Sequence, residues 1–203
     1  MKVDSGRVAR AGALAAVGAA VSGVIAERAL AATGRSPIRP IDIAVEIAAP
    51  LEEVWAVTSD IPRQPEWMRE MKSVRIVTPG PVREGTEAEA TVRIFGIAVV
   101  DPVVVSEWAP PHRFGIRHAG LFTGGGRLTL REGIPAAPGI PPTTQIRWRE
   151  VLVPPLLPHV GAIVQWPILR WIFQDDLYRL RDLIEDGPAA AARDDDDGGG
   201  GGG

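Results

Sequence analysis

The sequence predicts an α+β fold in which a curved, seven-stranded antiparallel sheet surrounds a long C-terminal helix, with an extra hydrophobic helix at the N-terminus. Residues 41–151 contain short runs that alternate apolar and polar residues, the period of half-buried strands, and glycine and proline separate these runs. Residues 160–186 instead carry apolar residues at helical spacing. These two patterns place the folded domain at residues 41–186.

The composition bounds the class of protein. The chain has 203 residues, 45% of them hydrophobic and 23% charged, which is enough for one domain with a core. A net charge of −3 provides no broad cationic field, so nucleic acid is not an expected partner. The absence of cysteine excludes disulfides, thiolate nucleophiles and cysteine-ligated metals.

The elements of the domain follow from local pattern. The first strand is predicted at residues 41–47, where apolar and polar residues alternate. Short helices are predicted at residues 49–57, where Pro50 lies near the start, and at residues 60–68. Six further strands are predicted between glycine and proline residues, at 72–78, 86–95, 97–107, 112–118, 121–131 and 143–151.

The final helix is predicted to be amphipathic in its second half. Its apolar face contains Ile163, Trp166, Leu169, Phe173, Leu177, Leu180 and Ile184. Its opposite face is predicted to carry the charged residues Asp175, Asp176, Arg179, Arg181 and Asp182. The first half is apolar nearly all round, and Pro167 predicts a kink there.

The segments that flank the domain are predicted to be a hydrophobic helix at residues 1–33, a linker at 34–40 and a disordered acidic and Gly-rich tail at 187–203. Lys2, Arg7 and Arg10 precede an uncharged run at residues 11–26, as in a secretory signal or signal anchor. A helix of that length measures about 24 Å, against a hydrocarbon layer of about 30 Å.

Three interpretations of this run stay open: an uncleaved membrane anchor, a signal that is cleaved near Ala29 and Ala31, and a helix that never enters lipid. For an anchor, the basic residues before the run predict a domain on the extracytoplasmic side of the membrane. Secretion after cleavage and a cytoplasmic location are the alternatives.

Several local segments resemble one superfamily. Residues 47–55, Pro65-Glu66-Trp67-Met68, residues 74–86 and the corner at residues 107–114 are similar to segments of the START-like helix-grip superfamily, also called SRPBCC. The closest resemblance is to its polyketide cyclase/dehydrase and lipid-transport branch, and it covers residues 41–186. The resemblance implies a deep cavity between the sheet and the C-terminal helix. Members use it for lipids, sterols or polyketides, and some catalyse cyclisation while many only bind.

Strand alternation predicts which residues face that cavity. From the strands and the final helix, the predicted lining is Val92, Ile94, Phe114, Ile116, His118, Leu128, Leu130, Ile146, Trp148, Glu150, Trp166 and Phe173. Most are apolar, as a pocket for an apolar ligand requires. Trp166 and Phe173, with Trp171, leave two interpretations open, because this end of the helix either lies against a membrane or is covered by its own loops.

His118 and Glu150 are the candidate catalytic residues, since a carboxyl group near an imidazole can move protons or orient one polar ligand atom. The alternative is that both side chains lie at strand ends in solvent. His112 is predicted to be a corner residue and His159 a surface residue at the helix start. The triplet at residues 124–126 is predicted to be a flexible hairpin or bulge rather than a phosphate loop. No metal or cofactor is predicted.

Three functions are compatible with the sequence. The leading hypothesis is a membrane-tethered module for the binding or transfer of a small apolar ligand such as a lipid or polyketide-like molecule. An aromatase/cyclase-like enzyme that uses His118 and Glu150 on a polyketide-like substrate is the alternative. The third is a partner-binding protein whose cavity is filled by side chains. Residues 11–26 are the predicted membrane contact, and the sequence predicts no oligomeric state.

Overall fold

The structure is a computed structural model that describes residues 5–94, 97–133 and 142–187, with only the backbone described for residues 5–18 and 94. The described elements follow in this order: α1 (Ser5–Ala32), β1 (Ile41–Ile47), α2 (Leu51–Thr58), a 3-10 helix (Ile61–Glu66), β2 (Met71–Ile76), β3 (Glu87–Ile94), β4 (Ile97–Ala109), β5 (Arg113–Ala119), β6 (Thr123–Glu132), β7 (Thr144–Val153) and α3 (Pro158–Asp186).

The strands form one seven-stranded sheet in the order β1-β7-β6-β5-β4-β3-β2, and every neighbouring pair is antiparallel. This architecture confirms the predicted fold class. The predicted strands and the helices after residue 40 agree with the structure to within two residues at each end. Local alternation was therefore sufficient to locate these elements.

The sheet buries one face, as its alternation requires. In β1, Ile41, Ile43, Val45 and Ile47 are buried, while the intervening residues are exposed or half-buried. Residues of the other strands, of α2 and of α3 complete a single apolar core. Each fully buried aliphatic side chain of this kind contributes about 1.5–3 kcal/mol to the free energy of folding.

Helix α3 covers the inner face of the sheet and packs mainly against β1. Ala162, Leu169, Ile172, Leu177 and Leu180 are its buried apolar residues. Asp176 is also buried, at 2% exposure, so the prediction that it lies on the charged outer face is wrong. The physical reason is that the segment between the 3-10 helix and β2 lies against this side of α3, where the backbone N–H of Arg69 donates to Asp176.

Helix α1 packs against α3, and a carboxylate joins the two. Leu157, the residue before α3, has no side-chain capping bond, and the Glu27 carboxylate accepts hydrogen bonds instead from the backbone N–H groups of His159 and Val160 at 2.9–3.0 Å. The ring Nδ1 of His159 lies 2.7 Å from the same carboxylate. An acidic group at this position offsets the unpaired N–H groups and the dipole of the helix.

Within the part of the chain that the structure describes, no helix is both long and apolar enough to cross a membrane. The interpretations of residues 11–26 stay predictions. The division into helix, linker, domain and tail stays a prediction, and the predicted disorder concerns residues 188–203, which lie outside the described residues.

Candidate functional site

A cavity of about 120 Å³ lies between the inner face of the sheet and α3. Apolar side chains form most of its wall, and the indole of Trp148 stacks on Phe173 of α3 with ring centroids 4.6 Å apart. Met68 and Met71 contribute flexible thioether side chains on the β2 side. The cavity has room for a molecule about the size of one aromatic ring, since an apolar protein cavity of about 150 Å³ accepts benzene.

The structure brings eight of the twelve predicted lining residues together in this wall: Val92, Phe114, Ile116, His118, Leu128, Trp148, Glu150 and Phe173. Their contact with a ligand stays a prediction. The side chain of Ile94 lies outside the described residues.

Three predicted lining residues do not reach the cavity. Leu130 and Ile146 face inward as predicted, but they belong to the closed core that contains Leu177 and Leu180 of α3, which fill the space at that end. Trp166 borders a smaller pocket near the start of β1 instead, where its indole N–H donates to the carbonyl of Pro40 at 3.3 Å. Inward orientation alone therefore does not place a residue in the cavity.

His118 lies between two carboxylates at the polar end of the cavity. Its Nδ1 is 2.5 Å from Oδ2 of Asp101, and its Nε2 is 3.3 Å from Oε1 of Glu150. The indole N–H of Trp148 donates to the second oxygen of Glu150 at 3.0 Å. The side chains of His118 and Glu150 are only 13% and 3% exposed, so the alternative that both lie in solvent at strand ends is wrong.

The charge state of His118 follows from this geometry. Burial by itself would lower the pKa of the imidazole, but the hydrogen bonds and charges of Asp101 and Glu150 raise it from 6.5 to about 9. The ring is therefore an imidazolium at neutral pH, with both N–H groups directed at carboxylates. Asp101 was not predicted from the sequence, because its only signal is an isolated acid inside an apolar strand.

Two glycines make room for these carboxylates. A Cβ at Gly126 would lie 1.8 Å from Oε2 of Glu150, and a Cβ at Gly120 would lie 2.7 Å from Oδ1 of Asp101. Gly124, Gly125 and Gly126 belong to strand β6, so the prediction of a flexible hairpin at residues 124–126 is wrong, and no bulge interrupts their pairing with β5 or β7. The glycine triplet was the available sequence signal for close approach to a site on the neighbouring strand.

A second polar region of the cavity was missed by sequence reasoning. Asp176 of α3 lines the wall, and its Oδ1 accepts the backbone N–H of Arg69 at 3.1 Å. Burial raises the pKa of the Asp176 carboxyl to about 8; the Arg69 hydrogen bond lowers it, and the nearby Glu70 raises it. Oε2 of Glu70 is buried without a hydrogen-bond partner. At neutral pH Asp176 is mainly a neutral acid that can donate a hydrogen bond.

The remaining histidines lie elsewhere. His112 follows the corner at Pro110-Pro111 and is exposed, and His159 pairs with Glu27 at the start of α3. Within the described ranges, no group of three or more His, Cys, Asp or Glu side chains is arranged to hold a metal ion.

Residues 41–185 match the family described as "Polyketide cyclase / dehydrase and lipid transport". No curated protein sequence matches the chain.

Solved structures share the fold. A crystal structure from Deinococcus radiodurans is 23% identical, with a TM-score of 0.53, and the match covers 73% of this chain and 98% of that one. A crystal structure from Thermus thermophilus is 16% identical, with a TM-score of 0.57, covering 74% and 99%. A START superfamily protein from Mycobacterium smegmatis is 18% identical, with a TM-score of 0.50, covering 72% and 94%. At these identities the likeness establishes the fold alone.

The ion cluster makes a prediction about pH. Because the folded pKa of His118, about 9, lies above its unfolded value of 6.5, the cluster stabilises fully below pH 6.5 and loses its contribution as the pH rises to 9. The loss is at most about 3 kcal/mol for this shift. Asp176 acts in the same direction between its unfolded value of 3.8 and its folded value of about 8, because only the unfolded chain is ionised there.

An NMR titration of the His118 ring measures the pKa of His118 separately from that of Asp176. We expect Asp101→Asn to lower the pKa of His118, and we expect Glu107→Gln, which removes a carboxylate from β4 outside the cluster, to leave it unchanged. A wild-type His118 that titrates near its ordinary value would contradict the ionic cluster.

Proposed function

Because this chain belongs to the polyketide cyclase/dehydrase and lipid transport family, we propose that it binds a small, largely apolar molecule in the cavity between the sheet and α3. The observation that carries the proposal is an apolar cavity with buried polar groups at two places on its wall. Apolar walls supply affinity by releasing water, and a few fixed polar groups supply orientation. A cavity of about 120 Å³ also argues against the third function, in which side chains fill the interior.

His118 is the group best suited to orient the ligand. Its contact with Glu150, at 3.3 Å, is the longer of its two ionic contacts. A carbonyl oxygen that displaced this contact would accept a hydrogen bond from a charged N–H donor, which is stronger than a neutral one. Asp101 would hold the opposite ring nitrogen during the exchange. A neutral ligand with one carbonyl or hydroxyl group therefore suits this end of the cavity.

The volume of the cavity in this structure limits the size of the ligand. Ligand cavities for drug-sized molecules measure about 300–1,000 Å³, so a lipid or polyketide chain would need side chains to move. Met68 and Met71 are half-buried and unbranched, and Phe173 is also only half-buried. These three residues are the ones whose rearrangement would enlarge the cavity at the lowest cost.

The first prediction from this proposal concerns occupancy. The full chain, purified from its native host, is expected to carry a small molecule that native mass spectrometry detects and solvent extraction releases. Val92→Trp should fill the cavity and reduce occupancy at least about tenfold, since a lost contact of about 1.4 kcal/mol is worth that factor. Val100→Trp adds the same volume at an exposed position of β4 and should leave occupancy unchanged. Equal occupancy in both variants would place the ligand elsewhere.

A second candidate function is catalysis of an aromatase/cyclase type. The observation that favours it is the buried imidazolium of His118 beside the Glu150 carboxylate. In a polyketide-like substrate, the imidazolium would donate a hydrogen bond to a carbonyl as negative charge develops on its oxygen. Glu150 would then accept a proton from the adjacent carbon.

The variant Glu150→Gln distinguishes binding from catalysis. For an enzyme, it should abolish product formation from the extracted ligand while ligand binding survives. For a binder, it should change affinity, and neither wild type nor variant should form product. Glu46→Gln, at an exposed position of β1, is the control for the change of charge. Normal turnover by the Glu150→Gln variant would remove Glu150 from the mechanism.

We further propose that the protein associates with a membrane surface and exchanges its ligand there. Support comes from an exposed apolar surface formed by α1 and the first half of α3, comprising Val21, Val24, Ile25, Leu156, Ile163, Val164 and Trp171. Exposed arginines at positions 28, 35, 39 and 170 accompany this surface. Apolar and tryptophan side chains beside basic residues favour the bilayer interface.

Flotation with neutral phosphatidylcholine vesicles tests this association. The wild type is expected to float, and Trp171→Ser and Val24→Ser are each expected to reduce the bound fraction several-fold, because each removes exposed apolar area. Val100→Ser changes an exposed apolar residue of the sheet and should have no effect. Equal flotation of all three variants, or none by the wild type, would contradict membrane association through this surface.

A further inference from the structure

The outer face of the sheet contains a groove with a different chemistry from the cavity. It measures about 250 Å³, lies across β6 and β7, and is lined only by polar side chains: Arg127, Thr129, Arg131, Gln145, Arg147 and Arg149. Because successive side chains of a strand point to opposite faces, these residues alternate with Gly126, Leu128 and Leu130 of β6 and with Ile146, Trp148 and Glu150 of β7. The groove therefore lies on the opposite face of the sheet from the cavity, although Arg127 borders both.

The strand register places like charges together in this groove. Arg127 lies directly opposite Arg149, Arg131 lies opposite Gln145, and Arg147 lies opposite Thr129. Like charges at directly opposite positions destabilise an antiparallel pair. The exposed face imposes no packing requirement that would select arginine. The register thus concentrates positive charge on this part of the outer face.

Neighbouring carboxylates neutralise only part of this charge. Asp42 binds Arg147 through both oxygens at 2.6–2.7 Å. Glu107 forms ion pairs with Arg113 and Arg127, although its contact with Arg127 is not aligned as a hydrogen bond. In the described part of the chain, no carboxylate forms an ion pair with Arg131 or Arg149. Arg149 nevertheless lies directly opposite Asp42 of β1 and, after Arg147, contributes to the lowered pKa of that carboxyl. Asp42 and Glu107 thus form ion pairs with two of the four groove arginines, Arg147 and Arg127.

The donors in the groove suit a phosphate group. Guanidinium is planar and offers paired N–H donors that match two oxygens of a phosphate, and its charge makes these hydrogen bonds strong. The Thr129 hydroxyl and the Gln145 amide are neutral donors in the same lining. We propose that this groove is a binding site for a phosphate-bearing anion, either a soluble phosphate compound or the phosphate of a lipid headgroup.

Calorimetric titration of the full chain with pyrophosphate tests the proposal for a soluble ligand. Wild type is expected to bind, with affinity that falls as salt rises. Arg131→Gln and Arg149→Gln remove donors that have no carboxylate partner, so the fold should be retained, and each should weaken binding about five- to tenfold. Arg93→Gln makes the same change of net charge at an exposed position of β3 and should stay within about twofold of wild type.

Sedimentation with phosphatidate vesicles, compared with phosphatidylcholine vesicles, tests the lipid source. Binding to pyrophosphate that the two groove variants lose would identify a soluble phosphate ligand. Preference for phosphatidate that the same variants lose would identify a lipid headgroup. Equal weakening by Arg93→Gln would show general charge attraction and overturn the site. So would the absence of binding to both probes, or binding only to a nucleic-acid duplex.

Discussion

A sheet with one apolar face has to bury that face, and in this chain one helix covers most of it. The second half of α3 closes the core by packing Leu177 and Leu180 among the inward residues of the sheet, Leu130 and Ile146 included. Nearer the middle of α3, a cavity remains between the helix and the sheet, and Phe173 stacks on Trp148 in its wall. The same packing that stabilises the domain therefore determines where a ligand fits. Truncation of the closed end would enlarge a core void, whereas substitution at the cavity changes binding first.

Burial of the ionic cluster of His118 costs hydration free energy, and the hydrogen bonds of the site reduce that cost. A buried ion loses several kcal/mol of hydration, and attraction between partners offsets this only when their geometry and remaining hydrogen bonds are good. Here both ring nitrogens and both oxygens of Glu150 have partners, whereas Oδ1 of Asp101 has none. Because apolar replacements of buried ion clusters are often neutral or stabilising in other proteins, the retained charge supports the proposed role in ligand contact rather than a role in stability. Gly126 supports that inference. A glycine inside a strand destabilises it, but at this position it leaves space for the Glu150 carboxylate.

Sequence pattern predicted the strands and the inward direction of His118 and Glu150, because a period of two is a local property of the chain. It did not predict how far the cavity extends along the inner face of the sheet. Leu130 and Ile146 were therefore assigned to the cavity, although side chains of α3 pack against that part of the sheet. The buried position of Asp176 depends on the rotation of α3 against a curved sheet, which the helical period does not specify. The contact of Glu27 with His159 joins residues 132 positions apart, and no local signal indicates such a partner. The family resemblance supplied the cavity itself, which spacing alone does not imply.

The same alternation separates charge between the two faces of the sheet. Along β6 and β7, inward positions hold glycine, apolar residues and Glu150, while outward positions hold four arginines. A net charge of −3 averages over both faces and conceals this separation. An anion in the cavity would lose its hydration and meet the carboxylates of Glu150 and Glu70, whereas a neutral molecule would lose little and gain a charged donor. The outer groove offers an anion paired donors without removal from water. Under the two proposals, ligand charge would be selected by strand face, with neutral molecules inside the domain and anions outside it.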